Sequence, residues 1–411
     1  MRAMGFARFA IGNLRPLSAG VLLSFGSSYG QTFFIALFAA QVMEANGLSH
    51  GAWGGIYTLA TTLSAVLMAW AGGLADLYRV RGLATACAVG LAAACLAMAI
   101  SWHVASLVLA VLALRFFGQG MMSHLALVAM ARWFTAGRGR AIAIAAMGFA
   151  VGQATLPVIF VALMELLDWR LLWAVAALSS LALVPPLLWA TRGERPPAEI
   201  AFSTEALGMD AQHWSRAQAL RDPVMWLTLP MILGPAAWGT ALFFHQVHLA
   251  AVKGWPLAGF VALFPIYVGA SVAATLAVGA LVDRFGATRL LPLMAVPMAL
   301  GFWALGDASG LGAAAVGLAL LGLGWGAQAT LPAAFWAEVY GTAHLGRIKA
   351  LTGAAMVLGS AIGPGVTGVL IDRGTDFPDQ MIWYAGYFAL GGALTLVAAL
   401  RTLPRLRPSG A

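Results

Sequence analysis

Twelve long apolar runs limit what this chain can fold into. A bilayer core is crossed by about 20 apolar residues in helical form. Runs of that length occur at 17–43, 51–75, 82–101, 104–131, 140–164, 170–190, 223–249, 257–282, 289–306, 311–337, 347–371 and 381–401. Lipid offers no partner for a backbone N–H or C=O, so such runs must be helices. Charged residues are 9% of the 411, and hydrophobic ones are 61%. A soluble domain carries roughly 25% charged residues, and this chain has too few to coat a water-facing surface. The expected fold class is an all-α membrane protein with twelve transmembrane helices. The 48 glycines suit helices whose backbones approach closely in lipid. The first run follows Arg2, Arg8 and Arg15, as a signal peptide would. It continues for about 27 residues, with Gly, Tyr and Gln midway, and reads as an uncleaved first span.

The long polar gap at 191–222, with Pro196 and Pro197, reads as a linker between two six-helix bundles, 1–190 and 223–411. With the N-terminus in the cytoplasm, 19 of the 23 Lys and Arg fall in cytoplasmic segments. Arg170, Lys253 and Arg373 fall outside, and Arg115 lies within a span. That bias predicts both termini inside and a multi-pass protein of the cell inner (plasma) membrane. It also accounts for the net charge of +8 without a nucleic-acid partner; the expected partners are the lipid bilayer and a small-molecule substrate. Cys87 and Cys95 sit eight apart on one helix face, as small buried residues rather than a disulfide or zinc pair.

The halves repeat at an offset of 207 residues. Gly72 and Asp76 match Gly279 and Asp283, while Gly139, Arg140, Gly152, Gln153 and Pro157 match Gly346, Arg347, Gly359, Ser360 and Pro364. Gly118 and Gly120 match Gly324 and Gly326 with a one-residue slip. Tyr29-Gly30-Gln31 matches Trp238-Gly239-Thr240 at an offset of 209. Parallel six-plus-six repeats predict a substrate site near the bilayer midplane.

The segment Gly279-Ala-Leu-Val-Asp283-Arg284-Phe-Gly286-Ala-Thr-Arg289, its degenerate copy from Gly72 to Arg81, and Arg115-Phe-Phe-Gly118-Gln119-Gly120 in span 4 resemble the signatures of the major facilitator superfamily. The resemblance implies alternating-access transport by a monomer. It also implies that Asp76, Arg140, Asp283 and Arg347 latch an inner gate. A carboxylate near a helix N-terminus and an Arg gains about 0.3–2 kcal/mol. The stretches Ala131–Ala141 and Gly359–Pro364 are similar to those of bacterial monocarboxylate and oxalate–formate carriers. Those carriers hold the substrate with a basic residue in span 8. Span 8 here has no Lys or Arg, and span 11 has basic residues only at its cytoplasmic start, Arg347 and Lys349.

Arg115 is the sharpest single signal. It lies about 16 Å into span 4 at 1.5 Å per residue, where a guanidinium costs several kcal/mol and faces the bundle interior or a watery cavity. Two roles are open: binding an anionic group of the substrate, or hydrogen-bonding carbonyls of span 1. No Asp or Glu sits mid-membrane, which disfavours a carboxylate proton relay. His124 and His245 titrate near neutral pH, so proton coupling stays open. Spans 1 and 7 carry Gly26-Ser-Ser-Tyr-Gly-Gln-Thr32 and Gly234-Pro-Ala-Ala-Trp-Gly-Thr240 at matching depths. Interrupted spans at corresponding places point to a binding site. Tyr29, Gln31, Thr32, Trp238, His245 and Gln246 are therefore expected near the cavity, followed by Gln119, Gln153, Tyr57, Tyr267 and Gln328.

No catalytic constellation is apparent, and no phosphate-binding G-x-x-x-x-G-K-[ST] loop occurs. Neither an enzyme, a nucleotide-driven pump nor a cofactor is expected. The leading reading is a secondary carrier of a small organic solute, with a monocarboxylate-like anion first. The alternatives are an exporter of an amphipathic or cationic compound, and a non-transporting sensor on the same scaffold.

Overall fold

The structure, a computed structural model, describes residues 6–134, 137–194 and 207–406. The chain divides into two compact units, 1–201 and 202–411, and is helical throughout among the described residues. In the first unit α1 is a bent pair, Leu14–Gly30 and Thr32–Asn46, turning by 45°. It is followed by α2 (His50–Ala71), α3 (Val80–Ala99), α4 (Val104–Trp133), α5 (Arg138–Leu163) and α6 (Trp169–Ala190). The second unit holds α7 (Pro223–Phe244), α8 (Leu257–Phe285), α9 (Ala287–Asp307), α10 (Leu311–Tyr340), α11 (Leu345–Asp372) and α12 (Phe377–Thr402). Among the described residues eleven helices are long and apolar enough to cross a membrane, and the bent pair, taken as one span, makes a twelfth.

The helix ends follow local chemistry. Ser49 and Asp168 accept from the backbone N–H of Ala52 and Arg170, satisfying first-turn donors of α2 and α6. Asp222 does the same for Val224, with Pro223 in the first turn of α7. Within each bundle the helices meet on small residues. A Cβ on Gly148 of α5 would lie 2.0 Å from the Val21 carbonyl oxygen of α1, and one on Gly326 of α10 would lie 2.2 Å from that of Ser271 on α8. Lipid is as apolar as a leucine side chain, so close backbone packing holds these helices together.

Helices α1, α4 and α7 each depart from regular α-helix. Gln31 has extended backbone (φ −86°, ψ 153°) and breaks α1. Helix α4 widens into π-helix over Arg115–Met122, and α7 over Pro235–Gly239. Pro235 cannot donate to the carbonyl four residues earlier, which loosens that turn. After His245 the chain resumes as a short extension of α7, Gln246–Val252.

The end of the polar gap is built rather than loose. Arg216–Arg221 is a helix whose Ser215 and Gln218 cap each other. The Trp214 amide donates to the Tyr340 carbonyl (3.0 Å), and its indole donates to the Met209 carbonyl (3.1 Å). Arg405, past the end of α12, donates to Asp210 at 2.5 Å and lies 3.7 Å from Asp222. Asp210 and Ala211 hold φ of 56° and 54°, in the left-handed region that costs roughly 1–2 kcal/mol per residue. The Arg405 hydrogen bond holds the Asp210 carboxyl below its ordinary range. This strap ties α10 to the chain after α12 within the second unit.

Candidate functional site

The break in α1 is what positions Arg115. It leaves the Gly30 carbonyl facing α4, and Arg115 Nη1 donates to it at 3.3 Å and to Thr32 Oγ1 at 3.4 Å. Thr32 Oγ1 also shares a 2.5 Å hydrogen bond with the Tyr57 hydroxyl of α2. The guanidinium carbon sits 5.2 Å from the centre of the Tyr57 ring, within cation–π range. Arg115 is 2% exposed, and its Nε has no hydrogen-bond partner. Among the described residues no carboxylate pairs with it.

This approach needs bare backbone on both helices. A Cβ on Gly30 would lie 2.1 Å from the Leu114 carbonyl oxygen and 2.8 Å from Gly118 Cα; one on Gly118 would lie 2.7 Å from Gly30 Cα. The π-helical stretch begins at Arg115, on the same contact. Such bulges recur at functional positions.

The other expected residues of the first unit take several places. Gln31 and Thr32 lie at the break itself. Tyr29 is buried in an aromatic wall, edge-on to Phe34 (5.2 Å), Phe25 and Phe160 (both 6.4 Å). Gln119 is half-buried on the π-helical stretch, and Gln153 is buried on α5. His124 lies about 13 Å further along α4 from Arg115. Its Nε2 donates to the Gly72 carbonyl at 3.1 Å, at the end of α2, because a carbonyl can only accept. His124 is therefore apart from the Arg115 cluster.

In the second unit Trp238 turns toward α12. It stacks on Tyr384 (4.4 Å, 15°) and meets Tyr387 edge-on (5.6 Å). Tyr384 donates to Gln380 Oε1 and accepts from Thr367 Oγ1, while Tyr387 donates to the Pro230 carbonyl. The Trp238 indole N–H is buried without a partner. Tyr267 packs against Phe243 and Trp325. Gln328 Nε2 donates to the Ile232 carbonyl of α7 at 3.1 Å, and its Oε1 is unpaired. His245 Nε2 lies 3.0 Å from the Pro364 carbonyl oxygen of α11, and Gln246 beside it is fully buried. The Trp238 rings, Gln328 and His245 thus hold separate levels of α7.

Of the expected gate residues, Asp283 is exposed at the end of α8, and Arg140 lies 4.5 Å over the Phe9 ring. The side chains of Asp76 and Arg347 lie outside the described residues. Sequence reasoning missed Tyr384, Tyr387 and Asp376. Gln380 and Tyr384, one turn apart in an otherwise apolar span, were the available signal.

A family model for the Major Facilitator Superfamily matches residues 20–271 and 261–411. An uncharacterized 38 kDa protein in the 23S RNA operon of Thermoproteus tenax is 28% identical over 395 residues, covering 95% of this chain and 97% of that protein. Among solved structures, a bacterial homolog of the human lysosomal transporter Spinster, inward-facing and unoccupied, superposes with a TM-score of 0.74 at 15% identity, over 96% of this chain and 98% of that one. A point mutant of the nucleoside transporter NupG gives 0.66 at 14% identity, over 95% of this chain and 100% of that one. At those identities the likeness shows the fold alone. With the family model matched across both units, the chain belongs to the Major Facilitator Superfamily of membrane transporters.

Proposed function

We propose that this transporter is a secondary carrier of a small organic anion, of monocarboxylate type, working by alternating access in the cell inner membrane with both termini cytoplasmic. The observation that carries the reading is Arg115: a guanidinium 2% exposed within a span, with an unpaired Nε and no carboxylate beside it among the described residues. An uncompensated buried cation is strongly unfavourable. A substrate carboxylate would neutralise it through charge-assisted hydrogen bonds of the bidentate kind. The contact between Arg115 Nη1 and the Gly30 carbonyl favours a second reading, in which Arg115 pins the break in α1 and the solute is neutral or cationic. The gate assigned to Asp76, Arg140, Asp283 and Arg347 belongs to the same proposal.

Melting of the purified protein across a panel of small carboxylates, amines and neutral solutes separates the two. The anion reading expects one carboxylate to raise the melting temperature, with the rise lost in Arg115→Ala and not restored by Arg115→Lys, which lacks the planar fork. Rises produced only by amines or neutral solutes sink it.

A further inference from the structure

The second unit carries a histidine pair that the anion site does not use. His245 interrupts α7 (φ −98°, ψ 20°) and is 3% exposed. Its Nε2 faces the Pro364 carbonyl of α11, and its ring lies 5.5 Å from that of Phe377, the first residue of α12. His248 is three residues on, on the same face of the α7 extension. Its Nε2 lies 3.9 Å from Asp376 Oδ1, with the two side chains 15% and 57% exposed. Asp376 precedes α12 but makes no side-chain cap bond to it.

These groups form a graded path from an exposed carboxylate, through a mostly buried imidazole, to a fully buried one. We infer that His245 is a protonation site of this carrier, supplied from the surface through Asp376 and His248. The inference rests on the carrier reading above, whose topology puts this end of the bundle outside the cell.

The chemistry is proton transfer alone. A carbonyl accepts only, so the His245–Pro364 contact keeps a proton on Nε2 and leaves Nδ1 as the position that gains or loses one. Charging the ring makes the Nε2–H···O=C bond charge-assisted and stronger. The proton therefore tightens α7 against α11 across the break, and its departure relaxes that hold. Two imidazoles three residues apart on one helix face repel when both are charged, so a second proton on the pair is disfavoured. Among the described residues, the other titratable or charged groups at this end of the packed elements are Asp372 and Arg373 at the end of α11, Asp379 and Tyr384 in the first turns of α12, and Lys253 after the extension; Tyr387 lies deeper in α12, and Lys349 and Arg401 lie at the opposite ends of α11 and α12. Lys253 Nζ donates to the Gly306 carbonyl.

Full-length protein labelled with 15N-histidine, in lipid nanodiscs, is titrated from pH 8 to pH 5 beside His245→Gln, whose amide keeps a donor for Pro364; His245→Asn serves if that variant misfolds. The expected result is one imidazole with Nε2 protonated throughout and Nδ1 gaining a proton within the range, missing from the variant. Asp376→Asn is expected to lower its midpoint. An imidazole at His245 that stays neutral at pH 5 overturns the inference. Proteoliposomes loaded with a pH dye and offered the carboxylate panel give the transport counterpart. The ratio of flux with an acidic exterior to flux at equal pH is expected to fall from tenfold or more to near one in His245→Gln, whatever the absolute rate. An unchanged ratio also overturns it. If no carboxylate moves through the wild-type protein, the anion reading fails, and the NMR titration alone decides the proton site.

Discussion

Replacing Gly30 by alanine tests the central contact of the first unit. The added Cβ would lie 2.1 Å from the Leu114 carbonyl oxygen, 2.8 Å from Gly118 Cα and 2.9 Å from Gln119 N. All three are backbone atoms, so no rotamer change relieves them, and α1 must part from α4 by about 1 Å. Overpacking of this kind costs about 1–3 kcal/mol, and rigid backbone puts it at the upper end. Parting also lengthens the 3.3 Å bond from Arg115 to Gly30, and weakening a bond to a buried charge adds about 1.5–3 kcal/mol. The sum, about 5 kcal/mol, corresponds to a fall of about 10 °C or more for a unit of this size. Tryptophan-fluorescence melts in one detergent measure it. Gly55→Ala is the control, because nothing lies within 4 Å of its Cβ position. Gly118→Ala should match Gly30→Ala, and the double variant should fall well short of additivity, since one separation relieves both clashes. A Gly30→Ala protein melting within a degree of wild type would refute the reasoning.

Three further outcomes are expected. Arg170 lies between Trp102 (4.1 Å) and Trp169 (4.3 Å) and donates to the carbonyls of Ala99 and Ser101 at the end of α3; Arg170→Ala should lose about 2 kcal/mol in the same melts, and Arg170→Lys about half of that. Asp210 is ionised more readily in the folded strap than unfolded, so its contribution is complete at neutral pH and fades as pH falls through the lowered value. The protection of the Trp214 amide, measured against its intrinsic exchange rate at each pH, should fall below about pH 4, and that fall should be absent in Asp210→Asn. Gly363→Ala, whose Cβ would meet the Ala237 carbonyl oxygen at 2.1 Å, should open the contact between α7 and α11 and destabilise the protein by about 1–3 kcal/mol.

Span positions were legible because hydrophobicity is a one-dimensional signal. Eleven spans and the bent pair fall where the apolar runs predicted them, within a few residues at most ends. The interruptions in α1 and α7 were also readable, since Gly, Ser and Pro mark weak helix. The built strap at 207–215 was not legible as structure. Its order comes from Trp214 meeting Tyr340 and Arg405 meeting Asp210, partners 126 and 195 residues away. Tyr29 and Trp238 are expected near the cavity from their place in the repeat, and that their rings meet Phe160 and Tyr384 was not legible in the sequence.

By itself the sequence determined the membrane class, the number of spans, the repeat and the lone buried arginine, because each follows from counting charges and apolar residues along the chain. Only the tertiary structure decided which glycines bear helix contacts, which way each ring turns, and that Arg115 meets a broken helix instead of a carboxylate. The physical reason is that a helix apolar on every side carries no amphipathic stripe to mark its buried face. Lipid and protein interior are equally apolar solvents for it, so facing is settled by backbone approach and by where unpaired carbonyls find donors.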